Sequence, residues 1–370
     1  MPVDNFLRTV AMIYFDHAAA ARPDEDVLNF YLEALRSDFA NQESLHQLSY
    51  NARMNLTSAG AGLCAALLKE PERFSVVWGE SATGCFRLLS MFLKGKKVLS
   101  GTLEHPALTA NFRKNCNLQL LSCARNGNIT IPENIPECDA VIFHHVQSEL
   151  GVIQDLKQLF SAFPGALHIT DAVQAAGKLP LSPEADVHII SGIKFGSPGG
   201  AAILFRKDAP LLKKFPDFAA AYRSTEYEVS RDSVPLARTL AFAAARRAGA
   251  MQENFSRVSR LARRLDEQLA AEGITPTLPP ESGQTPYIRN YLLRGVQSAV
   301  IVRALSTAGF AVASGSACAA ESGKPSAALR ALGLSAKEAY SGLRISLDVT
   351  NTENDVDFLA FELKNALKNY

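Results

Sequence analysis

Val187-His-Ile-Ile-Ser-Gly-Ile-Lys194, followed by Phe195-Gly-Ser-Pro-Gly-Gly-Ala-Ala-Ile-Leu-Phe205, sets two short apolar runs around a glycine-rich break that holds one lysine. Runs of this length, bounded by Gly and Pro and rich in aliphatic residues, read as buried strands. Lys194 therefore falls just past a strand. The preceding run, Ala166-Leu-His-Ile169, leads in the same way to Asp171 and Gln174. In an open α/β sheet ligands bind at the carboxyl ends of the strands, so an acid, an amide and a lysine are expected at one sheet edge. A lysine there can anchor a cofactor covalently. The alternative, a solvated surface lysine, is the commoner fate of a lysine taken alone.

Outward from this stretch, candidate strands are Phe74–Val77, Lys97–Leu99, Leu118–Leu121, Ala140–Phe143, Leu167–Thr170, Val187–Ile190 and Ala201–Phe205, with helical segments between most of them. That alternation predicts an α/β fold with a mostly parallel sheet flanked by helices. Thr239–Ala271 has apolar residues at helical spacing and comes before the Pro-rich Thr275–Pro286. Beyond lie a strand at Tyr291–Leu293, a helix at Ser298–Ala308, a small-residue loop at Ser314–Lys324, a strand at Gly342–Ile345 and an amphipathic helix from Glu353. We expect a large domain over 14–250, a small C-terminal α+β domain over 251–370 and an N-terminal arm over 1–13.

Composition narrows the chemistry. The 370 residues are 47% hydrophobic, with 38 basic against 37 acidic side chains, so the chain can bury a large core and carries no charge bias toward nucleic acid or an anionic membrane. Cys64, Cys85, Cys116, Cys123, Cys138 and Cys318 show neither CxxC nor Cys/His metal spacing, which predicts reduced thiols in the cytoplasm and no metal site. Met1–Phe15 contains one Arg and no long apolar stretch, so neither signal peptide nor anchor is expected.

An ordered set of motifs runs through nearly the whole chain: Tyr14-Phe-Asp-His-Ala-Ala-Ala20, Asn41-x-x-Ser44-x-His46, Ser81-Ala-Thr83, Glu104-His105, His145-Val-Gln-Ser-Glu-Leu-Gly-Val-Ile-Gln154, Asp171-Ala-Val-Gln174, Ser191-Gly-Ile-Lys194, Gly315-Ser-Ala-Cys318 and Leu343-Arg-Ile-Ser346. In this order they resemble the class V aminotransferase-fold enzymes that use pyridoxal phosphate, and among them the cysteine desulfurases. The resemblance implies a fold-type I homodimer that turns L-cysteine into L-alanine and passes the sulfur to an acceptor protein.

It also implies roles. Lys194 is the covalent anchor and proton carrier, and Asp171 the carboxylate that keeps the pyridine nitrogen protonated. Gln174 and Ser148 face the ring hydroxyl, and His105 stacks on the ring and serves as acid or base. Ala82 and Thr83, at a helix start, bind the phosphate with Ser191 and with Ser233 donated from a second subunit. Arg344 clamps the substrate carboxylate, and Asn41 lies near the substrate entrance. Several have a plainer reading: Asp171 and Thr83 as helix caps, Gln174 as an exposed amide, His105 as a structural loop histidine, Arg344 as a surface residue. His17, His144, His145, His168 and His188 read as packing residues or as residues that support the site from behind, not as metal ligands.

Cys318 separates reactions. Its neighbours, Ser314-Gly-Ser-Ala and Ala-Ala-Glu-Ser-Gly, lack the apolar bulk that pins a structural cysteine. The resemblance makes it the thiol that accepts sulfur as a persulfide. Three features depart from the family pattern: Ile193 replaces a histidine, Ser148 replaces an asparagine, and Phe218-Ala-Ala-Ala-Tyr222 stands near the place of a glycine-rich stretch. Three readings stay open at this level: a desulfurase, another class V enzyme (selenocysteine lyase, aminotransferase or C–S lyase), and a degenerate scaffold for a protein partner.

Overall fold

The computed structural model describes residues 12–225, 233–315 and 324–370. Its strands, in chain order, are β1 (Ile13–Tyr14), β2 (Phe74–Gly79), β3 (Lys97–Gly101), β4 (Asn117–Leu121), β5 (Ala140–His144), β6 (Leu167–Asp171), β7 (Val187–Ser191), β8 (Ala201–Arg206), β9 (Ile288–Leu292), β10 (Phe310–Ala311) and β11 (Gly342–Ser346). Seven of them form one sheet in the order β2-β8-β7-β6-β5-β3-β4. Only β8 runs against its neighbours; the pairs from β7 to β4 are parallel. This is the mostly parallel α/β arrangement that the alternation of segments predicts.

The centre of the sheet is covered on both faces, so its strands are apolar throughout instead of alternating. Every residue of β5 and β7 is buried. One face packs Val98, Ile142, Ile169 and Ile203 against the helices Ala82–Phe92 and Pro106–Asn115. Each such aliphatic or aromatic side chain contributes roughly 1.5–3 kcal/mol by leaving water.

The central strands run one residue further than their apolar runs. β5 ends on His144, β6 on Asp171 and β7 on Ser191, so three polar side chains are fixed by ladder pairing at the same sheet edge. No helix follows β6: Ala172–Lys178 winds through tight turns, with Ala176 N–H bonded to Ala172 O at 2.9 Å and Lys178 N–H to Ala175 O at 2.9 Å. The helix-cap alternative for Asp171 therefore does not apply.

The helical stretch over Thr239–Ala271 falls in two helices, Val234–Gly249 and Met251–Ala270, parted at Ala250 (φ −107°, ψ 12°). The first packs against Glu25–Ser37 and Gln47–Leu67, the second against the C-terminal helix Glu353–Lys368. A change of packing partner requires a change of axis, and periodicity is blind to it. At the other end, β1 pairs with β10, and Asp16 bridges to Ser346 at the end of β11. Residues 13–16, close to the start of the described residues, are thus laid against C-terminal strands.

Candidate cofactor site

A cavity of about 180 Å³ opens at the carboxyl ends of β5, β6 and β7. Lys194 reaches it from a loop closed at its base: Gly192 N–H donates to Gly200 O at 2.9 Å and Ser197 N–H to Gly192 O at 2.9 Å. A Cβ on Gly192 would stand 2.6 Å from Gly199 O, so only glycine permits this closure. Lys194 Nζ donates to the Ala19 carbonyl. Its neighbour Ile193 also lines the cavity, 36% exposed.

One end of the cavity is the start of the helix Ala82–Phe92. Ser81 caps it, accepting from Gly84 N–H at 3.2 Å. Helix geometry leaves the N–H groups of Ala82 and Thr83 without intrahelical acceptors, and buried Ser191 lines the same cavity. A helix start with a hydroxyl beside it suits a phosphate.

Asp171 and Gln174 line the cavity as well. Asp171 Oδ1 accepts from Val173 N–H at 3.0 Å, and burial above all pushes the carboxyl up to about 7. Gln174 is buried, not exposed; its Nε2 donates to Ala18 O at 2.9 Å while Lys178 Nζ lies 3.5 Å from its Oε1. Lys178 can only donate and a carbonyl oxygen can only accept, so these partners fix the amide orientation. His105 Nδ1 accepts from Ala107 N–H at 3.1 Å, which puts the proton of the neutral ring on Nε2. Burial, then the nearby Lys194 charge, holds the His105 pKa below the usual range.

Arg344 enters from β11 and is 3% exposed, not a surface arginine. Nη1 donates to Ser148 O at 3.0 Å and Nη2 to Asp16 Oδ1 at 2.7 Å. Its buried Nε has no hydrogen-bond partner among the described residues. Ser148 stands in a turn that Gln147 builds: its Oε1 accepts from Glu149 N–H at 2.7 Å and Leu150 N–H at 2.6 Å. Gly151 completes it with φ +74°, where a Cβ would meet Ile288 O at 2.4 Å. The Gln147 amide is spent on the backbone.

The profile of the aminotransferase class-V family matches residues 13–359. The chain belongs to that family. This class V chain is 26% identical to cysteine desulfurase IscS 1 of Archaeoglobus fulgidus over 366 residues, spanning 94% of this chain and 95% of that one. It is 27% identical to cysteine desulfurase IscS of Klebsiella pneumoniae over 380 residues, spanning 96% and 92%. The X-ray structure of a NifS-like protein from Rickettsia africae superposes with a TM-score of 0.81 at 20% identity, covering 96% of this chain and 99% of that chain, a likeness of fold.

Class V enzymes as a family use pyridoxal phosphate, and the residues of this chain fit it. A lysine, a buried carboxyl, an open helix start and a buried arginine with an orphaned Nε face one cavity. Of the described residues expected at this chain's own site, one is not brought there. Asn41 does not line the cavity; its Oδ1 accepts from Glu43 N–H at 3.1 Å, so it serves the turn before the helix Gln47–Leu67. Ser233 is exposed outside the cavity and caps the helix Val234–Gly249. Cys318 lies outside the described residues.

Two contributors were not legible as site residues. His144 lines the cavity, with Nδ1 2.8 Å from Glu104 Oε1, and Asp16 pairs with Arg344. The sequence signal for His144 was its place at the end of the β5 run, the same signal that singled out Asp171. Among the described cysteines, burial pushes Cys64 and Cys116 up to about 11 and raises Cys138. These thiols are poor nucleophiles. Among the described residues no His/Cys/Asp/Glu group could hold a metal, and no helix is long and apolar enough to cross a membrane.

Proposed function

We propose that the chain is a pyridoxal-phosphate cysteine desulfurase: L-cysteine and the Cys318 thiol give L-alanine and a Cys318 persulfide, which an acceptor protein then reduces. The carrying observation is that Lys194 shares its cavity with a buried arginine whose Nε is unpartnered. That is an amine for the cofactor beside a receptor for an amino-acid carboxylate. The names of the Archaeoglobus and Klebsiella relatives support the choice of cysteine.

When bound, the cofactor supplies an electron sink for bonds broken at the α- and β-carbons of the substrate. The residues of this chain do the rest. Arg344 binds the α-carboxylate. Asp171, in its ionised form, holds the proton on the pyridine nitrogen, and Gln174 Nε2 faces the ring hydroxyl. Lys194 Nζ carries protons to and from the substrate carbon, and His105 Nε2–H is an acid beside it. Ala82 and Thr83 N–H, Thr83 and Ser191 hydroxyls, and Ser233 of a second copy hold the phosphate.

The second copy is supported by an apolar surface. Leu32, Leu35, Phe39, Leu45, Leu48 and Met54 are all exposed on the helices Glu25–Ser37 and Gln47–Leu67 and the turn between them, and patches of this kind mark interfaces. Ser233 heads the helix that packs on both. We assign the homodimer interface to this face, the large and small domains to 14–250 and 251–370, and the protein to the cytoplasm, in keeping with the lack of a disulfide among its described cysteines.

The test is the cysteine assay on wild type, Lys194→Ala and Cys318→Ser. Wild type should be yellow and release alanine and, with a reductant, sulfide. Lys194→Ala should lose both colour and activity. Cys318→Ser should keep the colour and lose at least a hundredfold in sulfide release. Undiminished turnover by Cys318→Ser would instead identify a C–S lyase of the same family.

A further inference from the structure

Arg344 is paired with a carboxylate of its own chain. Asp16 Oδ1 lies 2.7 Å from Nη2, and the two side chains are 23% and 3% exposed. Ser148 O takes Nη1 at 3.0 Å, leaving Nε, the one guanidinium nitrogen with no partner among the described residues. A guanidinium offers five N–H donors in a flat fork, so two sides are committed to the protein and one is left for a ligand.

Asp16 is not free to leave this position. Ser346 N–H donates to Phe15 O at 2.8 Å, Ala18 N–H donates to Ser346 Oγ at 2.9 Å, and Tyr14 Oη donates to Asp16 O at 3.0 Å. Its backbone is fastened on both sides to the strand that carries Arg344. Two and three residues on, the carbonyls of Ala18 and Ala19 accept from Gln174 and Lys194, so the segment forms one wall of the cavity.

We propose that Asp16 is a specificity residue: it leaves Arg344 a receptor for a single carboxylate and disfavours amino acids that carry a second anionic group on the β-carbon. The proposal rests on the reading that Arg344 binds an amino-acid carboxylate beside the cofactor. A β-substituent stands only a few ångströms from the α-carboxylate, well inside the roughly 8 Å over which charges interact at physiological salt. There a fixed Asp16 carboxylate opposes a second negative charge and leaves a neutral thiol untouched. The substrates selected carry the α-carboxylate as their one anionic group, as cysteine does below its thiol pKa of about 8.5. Those rejected are aspartate and cysteine sulfinate.

L-Aspartate and L-asparagine share a shape and differ by one charge, so their binding isolates the effect. The cofactor-loaded full-length protein is titrated with each, reading the change in its visible absorbance, in wild type, Asp16→Asn and Asp16→Glu. Wild type should bind aspartate at least tenfold more weakly than asparagine. Asp16→Asn should close that gap by about tenfold through tighter aspartate binding, and Asp16→Glu should restore it. A merely structural Asp16 would weaken both ligands equally and leave the ratio alone. An unchanged ratio in Asp16→Asn, or equal affinities in wild type whatever the fate of the variant, overturns the proposal. A wild type without any visible band overturns the cofactor reading, and this proposal with it.

Discussion

His144 and Asp171 are register partners on the last residues of parallel strands β5 and β6, yet the imidazole is bonded to Glu104, not to Asp171. The aspartate is left with Val173 N–H as its single hydrogen-bond donor among the described residues, and burial, reinforced by the Glu104 charge, pushes it up to about 7. Its ionised form is destabilised until a cation is supplied, which a protonated pyridine nitrogen does.

That shift predicts a pH-dependent stability. A carboxyl raised from 3.8 to about 7 favours the folded state fully below pH 3.8, and the advantage is lost as pH rises through about 7. At about 1.4 kcal/mol per pKa unit, the loss is on the order of 4 kcal/mol. Asp171→Asn should remove it: without cofactor, the variant should gain on wild type in urea unfolding as pH goes from 4.5 to 8. A stability difference that stays flat over that range would contradict the burial argument.

His188 predicts the opposite slope. It is 0% exposed in the middle of β7, neither ring nitrogen has a hydrogen-bond partner among the described residues, and burial pushes its pKa down to about 3. Its contribution is present above pH 6.5 and lost as pH falls from there toward 3, because only the unfolded chain takes the proton. His188→Leu should lower the midpoint of acid unfolding, followed by circular dichroism. An unchanged midpoint would mean the imidazole is protonated in the fold.

Ile193 lines the cavity where the family pattern has a histidine. A hydrogen bond to a charged group is worth about 1.5–3 kcal/mol, so Ile193→His should tighten pyridoxal phosphate binding tenfold or more, measured by fluorescence titration. Pyridoxal lacking the phosphate should bind both proteins alike. Equal gains for the two compounds would place residue 193 away from the phosphate.

Arg344→Lys keeps the charge and loses the fork. The L-cysteine KM should rise at least tenfold, with little change in the cofactor absorbance, since a point ammonium cannot bind Ser148 O, Asp16 and a carboxylate in one plane. A fall in kcat alone, with KM unmoved, would remove Arg344 from substrate binding.

Most of the sheet and much of the candidate site were legible in the chain because both are written locally. A strand buried on two faces needs an uninterrupted apolar run, and the first polar residue after such a run stands at the ligand edge of the sheet. Asp171 was found in that way, with Gln174 and Lys194 a few residues past their runs, while the part given to Ser191 came from the family resemblance. His144 obeys the same rule at the end of β5, but it was read as a packing residue because a lone histidine beside a strand has no motif to mark it. Asn41, picked by its place in a motif, turned out to bond its own turn. Motif order carries no information on where a short polar side chain points.

The sequence by itself determined the elements, the polar residues at their ends and the glycines without which the Lys194 loop could not close. Only the tertiary structure decided that β8 runs against its neighbours, that the helical run breaks at Ala250, and that Asp16 and Arg344, 328 residues apart, form an ion pair. Apolar periodicity reports which face of one element is buried, and it is set within a few residues. An ion pair between the two ends of a chain depends on how β1, β10 and β11 close around each other, and no local pattern encodes that closure.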